Sequence, residues 1–415
     1  MPSPVTPPRG MRDFLPADKR RRDLVLDVIR STYRSFGFDE IETPVVEDSA
    51  RLHAGLGGDN EKLAFAVMRR GIGVEDLRGA ETPLDLADLG LRFDLTVPLA
   101  RFYATHRAAL PPVFRSIQIA PVWRAEKPQK GRYRQFVQCD IDIIGEPGAM
   151  AEIELLSATS AVLGELGLTG TSIRINDRRI LLALLSHWKV PIERFDLALV
   201  IIDKLDKIGV AGVVKELSEI GVPVDGLAEQ LEELAGATWE SVSAPSHPEW
   251  LDAGAFADLL ALRAALPEAR LEFDPTLVRG MGYYTGTIFE VAHPDFGYSL
   301  GGGGRYDGMI GRFLGADVPA AGFSLGFERL VDLVELPADA SGEGVVLLYD
   351  EAQDPAALVR LQHEVAATQG RVRLDRKAKN LKNQLSGLAA LGYGRFAIVS
   401  RAEVSADELE FRTLA

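Results

Sequence analysis

The chain has 415 residues, 47% of them hydrophobic and 26% charged, which is the balance of a globular protein with room for two or three cores. A formal net charge of −14 argues against generic affinity for nucleic acid, although it permits a local basic footprint. No apolar run is long enough to span a bilayer, the N-terminus lacks an apolar signal core, and the single cysteine, Cys139, cannot form an internal disulfide, so a reducing cytoplasm is expected.

Residues 1–16 are proline-rich and end in the irregular stretch Arg9-Gly10-Met11-Arg12-Asp13. The spacing of Val25, Val28, Ile29, Thr32 and Phe36 predicts a helix over 18–36, stopped by Gly37. A strand is predicted over 38–46. Its Pro44 suits only an edge or an interface. Past Gly-Leu-Gly-Gly at 55–58, a second strand is predicted over 91–97, with Arg92, Asp94 and Thr96 sharing one face, and 98–106 reads as helix.

The centre of the chain, 122–145, reads as strand, charged loop, strand. Arg124, Glu126, Lys127, Lys130, Arg132 and Arg134 surround a Pro-Gln-Lys-Gly turn. Beyond it Phe136, Gln138, Asp140 and Asp142 share one face, while Val137, Cys139, Ile141 and Ile143 share the other. Taken alone, such a hairpin is a solvated surface feature. Two strands with ionic faces instead suggest a site for a polyanion at the loop and a polar or cationic small molecule along the strand, because burying such groups without partners is costly.

A helix over 150–166 and a short strand at 172–175 follow, and 177–266 becomes leucine-rich and helical, an inserted subdomain. β character returns at 271. The segment 277–290 is aromatic and β-branched with three glycines, a pattern of close approach by a ligand. Four glycines at 301–304 lead into Arg305-Tyr306-Asp307-Gly308, and 321–330 reads as a strand running into a helix that carries Arg329. A linker is expected at 336–344. Strands at 345–349, 372–375 and 395–400 alternating with helices at 355–369 and 381–391 predict a small α/β domain.

The glycine run lacks the strand–glycine–helix context of a dinucleotide site, so it reads as a backbone wall against a ligand. Arg124, Arg132, Arg279 and Arg329 are the candidates for phosphate contact, since guanidinium forks match phosphate and carboxylate. No Ser-His-Asp or Cys-His arrangement and no metal-ligating spacing among the six histidines is visible. Nucleotidyl transfer needs neither, only positioning and charge neutralisation.

These residues together resemble the histidyl-tRNA synthetases, a family of class II aminoacyl-tRNA synthetases. Residues 36–47 with Pro44 resemble class II motif 1, the dimer-interface motif. Those from Arg124-Ala125-Glu126 through Arg132-Tyr133-Arg134-Gln135-Phe136 resemble motif 2, and 322–329 resemble motif 3. Residues 279–284 are similar to the family's Arg-Gly-Leu-Asp-Tyr-Tyr, 303–308 match Gly-Gly-Arg-Tyr-Asp-Gly, and 91–96 resemble Leu-Arg-Tyr-Asp-Leu-Thr. The resemblance implies an α+β fold: a catalytic core of antiparallel sheet in two parts (1–176 and 267–335), a helical insertion (177–266), a linker (336–344) and an anticodon-binding-like α/β domain (345–415) that ends short of the family's last helix.

It also implies roles. Arg124 would hold the α-phosphate of ATP, with Glu126 beside it. Arg132 and Arg329 would hold the outer phosphates, and Phe136 would stack on adenine. Asp94, Thr96 and Gln138 would bind the α-amino group of histidine, while Asp142 and Tyr284, with Tyr306 nearby, would read the imidazole. Arg279 would sit between carboxylate and α-phosphate. Gln129, Arg376, Lys377, Lys379 and Lys382 would contact tRNA, and Mg²⁺ would accompany ATP. The implied activity is adenylation of histidine and its transfer to the 3′ end of tRNA(His), in a homodimer. Two departures stand out, Gly282 in place of the family's aspartate and the short C-terminal domain. They keep open an adenylating ligase with a non-tRNA acceptor; the other alternative is a non-charging regulatory subunit of the ATP phosphoribosyltransferase type.

Overall fold

The computed structural model describes residues 5–53, 62–129, 131–243, 247–279, 283–335, 344–400 and 405–414. The glycines at 55–58, Lys130, Gly282 with its two preceding neighbours, and all but the last residue of the expected linker lie outside the described residues. The chain divides into two compact units, Met1–Arg12 with Leu26–Val334 and Asp13–Val25 with Glu335–Ala415.

Among the described residues the first unit contains strands β1 (Asp39–Glu40), β2 (Val46–Asp48), β3 (Phe65–Met68), β4 (Ala87–Leu91), β5 (Phe114–Trp123), β6 (Gln135–Ile144), β7 (Ser172–Asp177), β8 (Leu271–Phe273), β9 (Thr287–His293), β10 (Phe296–Arg305) and β11 (Ala320–Gly326). Eight of them form one sheet in the order β1-β5-β6-β11-β10-β9-β7-β8. The six central strands pair antiparallel, and only the edge strands β1 and β8 pair parallel to their neighbours. The predicted hairpin is β5–β6, whose register sets Gln118 opposite Asp140 and Ala120 opposite Gln138. Its alternation places Cys139, Ile141 and Ile143 in the core, fully buried. The helix Met150–Glu165 lies against β6 and β11.

The glycine run occupies the middle of this sheet, in β10. A Cβ at Gly303 would lie 1.9 Å from the Gly322 carbonyl oxygen, and one at Gly301 2.6 Å from that of Ser324. Only hydrogen fits there, so β10 and β11 need glycine at this crossing.

Two expected strands differ from what forms. The strand over 38–46 is two short pieces, β1 and β2, with Pro44 between them, because a proline without an N–H cannot continue the ladder. The strand over 91–97 ends at Leu91, and the helix Thr96–His106 begins five residues later. Arg92 accordingly leaves the expected ionic face. It is 3% exposed, and its guanidinium donates to the Thr43, Pro44 and Pro121 carbonyls, so it is a structural arginine tying three segments.

The insertion is helical as read, from Arg178–His187 to Ala253–Ala265. Its core, including Leu184, Leu199, Leu217 and Leu231, is continuous with Leu277, Val278 and Ile288 of the β9 region. In the second unit the four-stranded sheet orders β12 (Gly344–Tyr349), β13 (Val372–Arg376), β14 (Tyr393–Val399) and β15 (Arg412–Thr413) as β13-β12-β14-β15, all parallel except β15. Helices Pro355–Gln369 and Leu381–Ala390 connect the parallel strands.

Candidate active site

The polar face of β6 opens onto a cleft of about 720 Å³ in the first unit. Four segments far apart in sequence build it. From β6 and its loop come Arg124, Glu126, Arg132, Phe136, Gln138, Asp140 and Asp142; from the start of the helix Thr96–His106 come Asp94 and Thr96. Arg279, Tyr284 and Tyr306 approach from either side of β9 and β10, and Arg329 from the first turn of the helix Phe327–Leu333. All twelve residues expected to hold ATP and histidine therefore line one cavity.

At one end the cavity is cationic. Arg124 donates to the Phe93 carbonyl at 3.0 Å and to Gln138 Oε1 at 3.4 Å, with its guanidinium 5.1 Å from the Phe136 ring centre. Arg329 donates to the Ser299 carbonyl and lies 5.7 Å from the Tyr298 ring. Burial lowers the Arg329 pKa, and the nearby charges of Arg132 and Arg279 lower it further. Burial likewise lowers that of Arg124, against the opposing pull of Asp94 and Glu126. Cations gathered against their own repulsion favour a polyanion between them. Arg279 is held differently. Its Nη1 pairs with Glu290, whose other oxygen takes Arg174 Nη1 at 3.3 Å, and the guanidinium lies over Gly302, where a Cβ would be 2.7 Å from Cζ. Burial works against the Arg279 charge, but Glu290 together with the nearby Tyr284 and Tyr283 more than offsets it, and the pKa is raised.

The other end is acidic and aromatic. Asp142 is 4% exposed and accepts a 2.6 Å hydrogen bond from the Tyr306 hydroxyl. It faces Gly322 across β6–β11, in a slot where a Cβ would lie 2.0 Å from its Oδ1. Burial raises its pKa to about 7, the Tyr306 bond pulling down and the charge of Asp94 pushing up. Tyr283 and Tyr284 pack with ring centres 4.3 Å apart, and burial raises both phenols. Gln138 Nε2 donates to Ser324 Oγ at 3.0 Å, which leaves its carbonyl oxygen turned to Arg124.

Several lining residues carry no role in the sequence analysis. Asp140 sits between Gln138 and Asp142, buried with its pKa raised by desolvation and by the Asp142 charge. Strand alternation already placed it on this face. Glu290 lay within the glycine-rich segment, but only the fold shows which arginines it holds. Asp203, Asp206 and Lys207 reach the cleft from the helical insertion, where nothing in the leucine-rich pattern marked them.

Of the expected tRNA contacts, Gln129 is exposed at the loop tip, pairing with Arg132 across a tight turn. Arg376, Lys377, Lys379 and Lys382 are exposed on the second unit, at the end of β13 and the start of the helix Leu381–Ala390. Among the described residues no cluster of three or more carboxylate, histidine or cysteine side chains could hold a metal ion by itself. No helix among them is long and apolar enough to cross a membrane.

A family model described as histidyl-tRNA synthetase matches residues 10–330. The chain is 58% identical to a histidine–tRNA ligase of Leifsonia xyli subsp. xyli, over 100% of this chain and 99% of the relative. It is 44% identical to a probable histidine–tRNA ligase of Tropheryma whipplei, over 94% and 95% respectively. Among solved structures, a histidyl-tRNA synthetase from Nostoc sp. PCC 7120 superposes with a TM-score of 0.78 at 25% identity, covering 99% of this chain and 95% of that one.

Proposed function

Because the chain belongs to the histidyl-tRNA synthetase family, we propose that the cationic and acidic ends of its cleft hold the two substrates of that family's first reaction. The reaction is ATP-dependent activation of histidine to histidyl-adenylate, followed by transfer of the histidyl group to the 3′ end of tRNA(His). The regulatory-subunit alternative is not favoured.

In this assignment Arg124 holds the α-phosphate, Arg132 and Arg329 the outer phosphates, and Phe136 the adenine. Asp94, Thr96 and the Gln138 carbonyl take the α-amino group of histidine. Asp142 and Tyr284 take the imidazole, with Tyr306 fixing the Asp142 carboxylate. A histidine carboxylate oxygen attacks the α-phosphorus and pyrophosphate leaves; Arg279, steadied by Glu290, neutralises the charge that grows between them. In the second step a terminal ribose hydroxyl attacks the acyl carbonyl and AMP leaves. Mg²⁺ is bound in such sites by one or two carboxylates and the substrate phosphates. Glu126, 3.8 Å from Arg132 and on the cleft wall, fits that part; the ion would offset phosphate charge.

The observation that carries the assignment is the convergence of Arg124, Arg279 and Arg329 with Asp94, Gln138 and Asp142 on one cavity. We further read the protein as a cytoplasmic homodimer. Supporting the dimer are the edge position of β1 and the exposed Val45, Val46, Met68 and Leu89 on and beside the small sheet β2-β4-β3. The tRNA assignment is tested by reversing charge at Arg376→Glu and Lys377→Glu. The KM for tRNA in charging should rise about tenfold while histidine-dependent ATP–pyrophosphate exchange stays normal. Unchanged charging would remove the second unit from tRNA binding.

A further inference from the structure

The irregular stretch at residues 8–12 has no part in the roles above, yet it is tied tightly to the cleft. Met11 N–H donates to the Pro8 carbonyl at 2.9 Å, closing a turn. The Gly10 carbonyl then accepts from Arg134 N–H at 2.8 Å. Gly10 has φ +84°, and a Cβ there would sit 2.8 Å from Pro128 Cγ and 2.9 Å from Arg134 Cγ, so the turn is pressed against the far side of the cationic loop. Two residues on, the Arg12 guanidinium pairs with Glu328 and stacks 3.4 Å from the centre of the Tyr133 ring. Glu328 is 7% exposed, its second oxygen accepts from Val137 N–H at 3.2 Å, and it directly precedes Arg329. Arg134 in turn donates through Nε to the Glu126 carbonyl at 3.0 Å, and its carbonyl accepts from Arg124 N–H at 2.9 Å.

One arginine thus touches both walls of the phosphate end. Tyr133 belongs to the loop that carries Glu126 and Arg132, and Glu328 to the helix that carries Arg329. Arg12 itself does not line the cavity, whereas Glu126, Arg132, Tyr133, Glu328 and Arg329 do. We propose that residues 8–12 form a strap that sets the spacing between the cationic loop and the Arg329 helix, with Arg12 as the positioning residue for the triphosphate end of the site. The proposal rests on the assignment of that loop to ATP. The histidine end is built on β6, β10 and β11 and the helix at Thr96; the contacts of residues 8–12 given above reach these elements only at second hand, through Glu328 and its bond from Val137 N–H.

The consequence is a selective one. Arg12→Ala should raise the KM for ATP in histidine-dependent ATP–pyrophosphate exchange about tenfold or more, and leave the KM for histidine within about twofold. Arg12→Lys keeps the pair with Glu328 but loses the planar stack and the fork, so it should fall between. A purely structural role would lower the active fraction and leave both KM values alone. Were Arg12→Ala not to fold, Arg12→Lys carries the same test. An ATP KM within twofold of the parent in the folded variants, or equal rises for both substrates, overturns the strap. Glu126→Gln separates this from the underlying assignment, because an unchanged ATP KM in that variant shows that the loop does not serve ATP at all.

Discussion

Replacing Arg279 by alanine separates the chemistry of the cleft from its architecture. In the folded protein the Arg279 side chain is 31% exposed, with its guanidinium paired with Glu290 and resting on the bare backbone of Gly302. Truncation opens space into a cleft that water can fill, so no dry cavity results. Glu290 is not orphaned either, since Arg174 Nη1 remains 3.3 Å from its other oxygen. The stability loss should be about 1 kcal/mol, a fall in Tm of a few degrees at most. Catalysis should suffer far more. Removing one preorganised donor to a developing negative charge costs about 100- to 1,000-fold, and Arg279 contributes a fork with a full charge. We expect histidine-dependent exchange to drop at least about a thousandfold, or ~4 kcal/mol of transition-state stabilisation. Arg279→Lys, which keeps the charge and loses the fork, should lie between. The measurements are exchange rates at saturating substrates beside a thermal melt by circular dichroism. Exchange within tenfold of the parent in a folded Arg279→Ala protein would refute the catalytic argument, and unfolding at the assay temperature would refute the structural one.

Asp142→Asn should raise the KM for histidine at least about tenfold, because the amide cannot supply a charged acceptor; an unchanged KM would dismiss Asp142 as the imidazole partner. The same variant should alter the pH dependence of stability. With its pKa raised from 3.8 to about 7, the folded protein keeps a proton on Asp142 that the unfolded chain has released, so this group's contribution to stability falls as pH rises through that window. Melts between pH 4.5 and 7.5, ~half a unit apart, should show a shallower decline in Asp142→Asn; an identical slope would contradict the burial argument. Gly303→Ala forces a methyl to within 1.9 Å of the Gly322 carbonyl and should cost more than about 3 kcal/mol, read as a collapsed Tm or loss of soluble protein. A variant that melts within ~2 °C of the parent would contradict the close strand crossing.

Local pattern carried the antiparallel hairpin well, since period-2 alternation in 135–144 separates the acidic from the apolar face without reference to any other strand. The helices of the second unit were equally plain, with Asp354 and Asn380 capping Pro355–Gln369 and Leu381–Ala390. Alternation misled at 91–97, where the polar-apolar pattern belongs to a bend followed by a helix. Arg92 looks like a site residue in sequence and proves to be a tether, because its partners are carbonyls at Thr43, Pro44 and Pro121 that only the tertiary fold brings near. Arg12 was hidden for the same reason, since an ion pair with Glu328 across 316 positions leaves no local mark. Glu290 is only 11 positions from Arg279, but no local pattern pairs the two, and its other partner, Arg174, is 116 positions away. The sharing of one cleft by Arg124, Arg279 and Arg329 followed from family resemblance, not from spacing, and rests in the structure on the β6–β11–β10 order.

The continuity of the insertion core with Leu277, Val278 and Ile288 bears on attempts to pare this protein down to a minimal catalyst. Excising the helices would strip cover from three apolar side chains in and just before β9, one to two residues from Arg279 in the case of Val278 and Leu277. It would also delete the wall at Asp203, Asp206 and Lys207. What the sequence marks as an inserted helical subdomain is therefore part of the housing of Arg279, and a shortened chain would need new apolar cover at those positions before it could hold that side chain in place.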